Sequence, residues 1–187
     1  GRAIPWGCAE PVLKINPHMG DGANAFYSEG DSLLGFQMLR AGDQMVYAAH
    51  SADVVSHETA HAVLDGLRDS YNDSFGLGTT AFHESFADIT AVLVALHDKA
   101  LVKRLLDWTA GELRLDNFVA RLADQMSQPL AGRSVYLRNA LNNLKLQPFD
   151  ALVYHPADPD LQLGREPHNY SRVLTGALYD LLAEIYE

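Results

Sequence analysis

Two histidines four residues apart, with a glutamate beside the first, are the residues of this chain best suited to chemistry: His57-Glu58-Thr59-Ala60-His61. In a helix of 3.6 residues per turn, positions four apart return to nearly the same face, so both imidazoles point one way. That is half of a tetrahedral zinc site, with Glu58 one residue along and able to lean over the metal. A catalytic zinc takes three protein ligands and keeps one position for water. The extended pattern H-E-x-x-H-x-x-G-x-x-H fails here, because Leu64 and Leu67 stand at its last two marked positions. The next cluster of acids and imidazoles is His83-Glu84-Ser85-Phe86-Ala87-Asp88. Glu84 and Asp88 are four apart and share a helix face. The economical assignment makes Glu84 the third ligand and Asp88 the acceptor that fixes the orientation of His57. His83 lies about 100° around the helix from Glu84, so it is not expected to bind the same ion.

These residues need elements to hold them. Residues 1–50 carry most of the Gly, Pro and Asn punctuation, between short runs such as Val12-Leu13-Lys14-Ile15 and Gln44-Met45-Val46-Tyr47. They read as a small strand-and-loop lobe. From Asp53 the texture changes: Val54, Val55, Ala60, Val63, Leu64 and Leu67 recur at helical spacing, with Asp53 or Ser56 as candidate caps. Residues 71–78 read as a loop. A second strong helix follows, with Phe82, Phe86, Ile89, Val92, Leu93 and Leu96 on one side. Three shorter helical patterns span 101–109, 116–126 and 133–144. A long irregular connection holding three prolines runs from Asp150 to Pro167, and a last helix runs from about Tyr170. The expected fold is α+β and helix-rich, one domain over 1–187. A small strand lobe (1–50) and a mainly helical lobe (51–187) would flank the active-site helix.

Composition sets the outer limits. The 187 residues are 48% apolar, enough for one globular core or two small lobes around a shared cleft. No apolar run approaches the about 18 residues that a membrane-spanning helix needs, so no membrane partner is expected. The start, Gly1-Arg2-Ala3-Ile4-Pro5, lacks the charged and apolar segments of a signal peptide. A formal net charge of −10 speaks against a nucleic-acid partner, since phosphate binding draws on clustered Lys and Arg. Cys8 is the single cysteine, which excludes an intramolecular disulfide and reads as a small apolar filler.

The chain resembles the thermolysin-like neutral metalloproteases, zincins whose third zinc ligand is a glutamate. Residues 53–63 and 84–89 carry the two metal motifs. Asn24-Ala25-Phe26-Tyr27 looks like the family's substrate-binding edge segment, and Met45-Val46-Tyr47 like the strand after it. His168-Asn169-Tyr170-Ser171-Arg172-Val173-Leu174 is similar to the stretch holding the family's second catalytic histidine. The resemblance implies a zincin-like fold, one catalytic Zn2+ and peptide or protein substrates. It implies that Glu58 takes the proton of a zinc-bound water as that water attacks the peptide carbonyl. Glu58 would later deliver that proton to the departing amine. His168 and a tyrosine would steady the oxyanion, Tyr71 being the choice and Tyr170 its rival. Asn24 and Ala25 would hold the substrate backbone, and Val54 would line the pocket for the side chain after the scissile bond. A secreted or extracytoplasmic location also goes with the resemblance.

The departures are specific. Only about twenty residues precede the edge segment, where the family has a large β-rich lobe. The segment between Tyr47 and His57 is short, and extra helices are expected between 100 and 146. His83 stands where the resemblance leads to an asparagine supporting the second ligand histidine. No acidic cluster follows Asp88, so calcium is not expected. Glu166, Asp160 and Asp158 are the candidate acids for orienting His168. Two other readings stay open: an aminopeptidase of the same class, although Gly20-Asp21-Gly22-Ala23-Asn24 offers no glutamate for a free amine, and a non-catalytic zincin-like peptide-binding module.

Overall fold

The computed structural model describes residues 6–7, 10–68, 71, 76–123, 138–152 and 163–186. It is α+β and helix-rich. The N-terminal part holds β1 (Lys14–Asn16), β2 (Ala25–Ser28), β3 (Leu33–Phe36), β4 (Met38–Ala41) and β5 (Gln44–Tyr47). The first three form a sheet in the order β1-β3-β2, with β1 parallel and β2 antiparallel to β3. β4 and β5 form a separate hairpin, turned at Asp43 through Gly42, whose positive φ of 60° suits a residue without a β-carbon. The sequence signal for β1 begins at Val12, but only its end pairs; Val12 is left 66% exposed.

After a short 3-10 turn (Ala48–His50), α1 spans Ala52–Leu67 and α2 spans Leu77–His97. Ser51 is the residue before α1, and neither expected cap serves. Asp53 sits in the first turn, where its Oδ1 accepts from the Val54 N–H at 2.9 Å, and the Ser56 hydroxyl donates back to the Ala52 carbonyl at 2.7 Å. α2 starts at Leu77, inside the expected loop, and its buried face keeps only part of the aromatic and aliphatic stripe: Val92 is in the core, with Ile89 and Leu96 packed against it. Ala81, His83, Ser85, Ala87, Asp88, Ala91 and Val92 point inward, while Phe82 and Leu93 are exposed. The cause is crowding: α2 packs against both α1 and the last helix, and small residues let three backbones approach.

α3 (Lys99–Thr109) is capped by Asp98, whose Oδ1 accepts from the Ala100 and Leu101 N–H groups at 2.8 and 3.3 Å. The helix expected over 116–126 is absent as far as Ala123. Asn117 turns the chain instead, accepting from the Val119 and Ala120 N–H groups and donating to the Leu113 and Leu115 carbonyls. This is the competition that short amides offer to a helix. Arg121–Leu122 (β6) then pairs with Arg138–Asn139 (β7), so the pattern over 133–144 is not helical from 138 onward. Asn139 and Asn142 bond nearby main chain there in the same way. Residues 124–126 and 133–137, Cys8, Asp158 and Asp160 lie outside the described part. The last helix, α4, runs over Pro167–Tyr186, three residues earlier than its apolar pattern suggests. Proline at a first helical position costs no hydrogen bond.

Two apolar clusters result. The larger joins α2, α3 and α4 through Val92, Leu105, Leu113, Leu122 and Tyr179. The smaller holds Leu34, Phe36, Ala48, Val54 and Ala123, where the strand lobe meets α1. α1 contributes Val54 to the smaller cluster and packs along α2, which belongs to the larger. Leu105, on α3, is 1% exposed in the larger cluster, which holds no residue of α1. Leu105→Ala is expected to lower stability by about 2–5 kcal/mol in chemical denaturation.

Candidate metal centre

α1 and α2 bring three side chains to one point. His57 Nε2 and His61 Nε2 are 3.1 Å apart, His57 Nε2 and Glu84 Oε2 3.3 Å, and His61 Nε2 and Glu84 Oε1 3.7 Å. Ligand atoms placed 2.0–2.1 Å from a tetrahedral centre must be about 3.3–3.4 Å from one another, so the set has the spacing of a zinc site. Both rings present Nε2 to the shared point and turn Nδ1 outward. Glu84 Oε2 is buried without a hydrogen bond, the usual sign that a buried oxygen is meant for something else. Two neutral imidazoles and a carboxylate are also the right donors for zinc. By spacing, orientation and chemistry the residues fit the metal. Among the described residues, no other group of His, Cys, Asp and Glu converges in this way.

Each ring is held from behind. Asp88, fully buried on α2, accepts from His57 Nδ1 at 2.9 Å. The same oxygen accepts from Arg138 Nη2 at 2.8 Å and Nε at 3.1 Å, while Thr175 of α4 donates to Oδ2 at 3.4 Å. Sequence reasoning placed Asp88 but missed Arg138, which arrives on β7 from fifty residues away in the chain. Asn142 secures that segment by donating to the Arg172 carbonyl of α4 at 3.1 Å. Gly176 makes the approach possible, because a β-carbon there would lie 2.8 Å from the Asn142 amide. The only sequence signal for Arg138 was an arginine amid residues with helix-competing amides, and that is no signal at all.

Electrostatics follow from burial and neighbours. Burial opposes a charge on His57, yet the Asp88 and Glu84 carboxylates override it and raise its pKa to about 9. Burial and the charge on His57 together lower His61 to about 3. Glu84 is buried too, but His57, His61 and His168 around it hold its carboxyl below the usual range. For Glu58 burial, aided by the Glu84 charge, outweighs the pull of His57, Arg138 and His168 and raises its pKa. Zinc takes only neutral imidazole. His57, protonated in the metal-free protein at neutral pH, must therefore give up its proton. Zinc binding at pH 7 is expected to release about one proton per chain, and the release should fade as pH rises through about 9. Calorimetric titration in buffers of different ionisation enthalpy reads this directly.

The remaining expected residues gather around the same point. His168, in the first turn of α4, has Nε2 3.4 Å from Glu84 Oε2. Of its three candidate partners, Asp158 and Asp160 lie outside the described residues, and Glu166 contacts its Nδ1, which raises the His168 pKa. Glu166 also accepts from the main-chain N–H groups of His168 and Asn169, at 3.1 and 2.9 Å, so it caps α4 and fixes the ring together. A cleft passes on both sides of these groups. One part, of about 390 Å³, is lined by Val54, Asp53, Leu122, Ala123 and Arg138. The other, of about 320 Å³, is lined by Phe26, Tyr27, Tyr71 and Thr80. Asn24, Ala25, His57, Glu58 and His168 border both. Tyr71 thus faces the site, whereas Tyr170 borders neither part. β2, which carries Ala25, is the edge of its sheet beside the cleft. Comparison of the chain with protein-family models, with curated proteins and with solved structures returns no match. No helix among the described residues is long and apolar enough to cross a membrane.

Proposed function

We propose that this chain is a zinc-dependent endopeptidase, similar in its site to the thermolysin-like proteases and zincin-like in its arrangement of helices. The observation that carries the reading is the convergence of His57, His61 and Glu84 at tetrahedral spacing beside a buried Glu58, in a cleft that continues on both sides. His57, His61 and Glu84 would hold the ion. Bound zinc supplies Lewis acidity toward water and a peptide carbonyl.

The chain's own groups account for the rest. An extended peptide lies along the β2 edge and takes main-chain hydrogen bonds there, with the Asn24 side chain beside it. Val54, Leu122 and Ala123 receive the side chain that follows the scissile bond. Glu58, whose pKa is raised by burial, takes the proton of the attacking water and returns it to the leaving amine. His168, whose pKa the Glu166 contact raises, donates toward the oxygen on which charge develops, and the Tyr71 hydroxyl lies on the same side. Arg138 offers its charge to a substrate carbonyl in the larger part of the cleft. An extracytoplasmic place of action belongs to the same proposal.

A cleft running past the metal residues favours cleavage within a chain over removal of a terminal residue. The test is a quenched peptide library blocked at both ends. Cleavage that stops with a zinc chelator and returns with added zinc is the expected result. Cleavage confined to peptides with a free amino end would make the protein an aminopeptidase. Tight peptide binding with no cleavage would make it a binding module.

A further inference from the structure

Behind His61 lies a pair of buried groups that the proposed reaction does not use. His83, on α2, is 5% exposed, and its Nδ1 is 2.6 Å from Nδ1 of His61. Its other nitrogen, Nε2, is 3.1 Å from Oδ1 of Asp65, which is 2% exposed near the end of α1. Two Nδ1 atoms at that distance share one proton between them, so one ring donates and the other accepts. Asp65 decides which. An ionised carboxylate only accepts, so His83 donates to it from Nε2. The Nδ1 of a neutral His83 then carries a lone pair and accepts from His61 Nδ1–H. His61 is left with its lone pair on Nε2, the atom that faces His57 and Glu84. Asp65 Oδ2 is buried without a hydrogen bond, so the carboxylate has no rival donor among the described residues to divert it from His83. Gly7 lies so close to the Asp65 main chain and β-carbon that a side chain there would collide with it.

We propose that Asp65 and His83 form a positioning relay that fixes the tautomer and orientation of His61 for metal binding. The relay rests on the zinc-site reading of His57, His61 and Glu84. It gives the two ligand histidines different supports: a carboxylate directly behind His57, and a carboxylate acting through a second imidazole behind His61. Neither Asp65 nor His83 is among the converging donors; His83 borders the smaller part of the cleft but has no role in the proposed reaction, and both act through His61. Groups in this position typically change metal affinity by about 10–100-fold.

The test measures zinc dissociation constants of the whole protein by competition with a chromogenic chelator, for the unaltered chain, Asp65→Asn, His83→Asn and the double variant. Asp65→Asn can hold His83 in either tautomer, so affinity should fall about 10–100-fold. In His83→Asn, the amide oxygen accepts from His61 Nδ1 without help, so affinity should stay near that of the unaltered protein. Asp65→Asn should then have no further effect in that background. Equal losses from Asp65→Asn in both backgrounds, or none in either, would overturn the relay. Nitrogen-15 spectra of the unaltered protein give a check that needs no variant: His83 should be protonated at Nε2 and His61 at Nδ1. The opposite tautomers would overturn it. Failure of the unaltered protein to bind zinc would sink the function proposed above, whereas zinc binding indifferent to Asp65 would sink the relay alone.

Discussion

Glu58→Ala is expected to lower peptide hydrolysis about a thousandfold and to leave one zinc per chain. Glu58 is 8% exposed on α1, between the two ligand histidines in sequence but directed at the cleft rather than at the metal point. It is absent from the group of converging donors, so its loss should not loosen the ion. What it contributes is a proton acceptor with a pKa raised by burial, closer to working pH than an exposed glutamate would have. Positioned general bases contribute about 10²–10⁴ in rate, which sets the size of the loss. Steady-state cleavage and metal analysis on the same sample separate the two outcomes. Full activity in the variant would remove Glu58 from the mechanism.

Glu84→Ala is expected to act the other way, on the metal first. Removing one of three donors should weaken zinc binding by roughly a hundred- to a thousandfold, a proportionate share of the about 10–16 kcal/mol found for complete four-ligand sites. A second consequence distinguishes ligand loss from general damage. The Glu84 carboxylate helps keep His57 charged in the metal-free protein, so its removal should lower the His57 pKa from about 9. Less proton release should then accompany what zinc binding remains. Chelator competition measures the affinity, and histidine titration by NMR measures the pKa. A variant that binds zinc as the unaltered protein does would mean that Glu84 is not a ligand.

The convergence of His57, His61 and Glu84 was legible because helical periodicity is rigid. Four-residue spacing fixes a face, so His57 with His61 and Glu84 with Asp88 could be paired before any contact was known. Glu166 and Tyr71 could be narrowed only to small sets, since loops between elements have no period. Arg138 could not be found, because it comes from a two-residue strand whose partner is β6 and whose place depends on Asn142 bonding to α4. The helices expected over 116–126 and 133–144 are absent over their described residues, 116–123 and 138–144, for one cause. Their apolar residues recur at helical spacing, but Asn117, Asn139 and Asn142 bond the main chain locally and outcompete helical hydrogen bonds. The buried face of α2 was legible only in part, at Val92, Ile89 and Leu96: a helix packed on two sides also buries its small residues, which a hydrophobic pattern does not mark.

X-ray absorption at the zinc edge of the reconstituted protein tests the central claim most directly. The account predicts one zinc per chain in a shell of nitrogen and oxygen at about 2.0–2.1 Å, with the outer-shell signature of two imidazoles. Substituting His57 or His61 by alanine should remove one of them. A sulfur neighbour at about 2.3 Å, a shell without imidazole, or no retained zinc would contradict it.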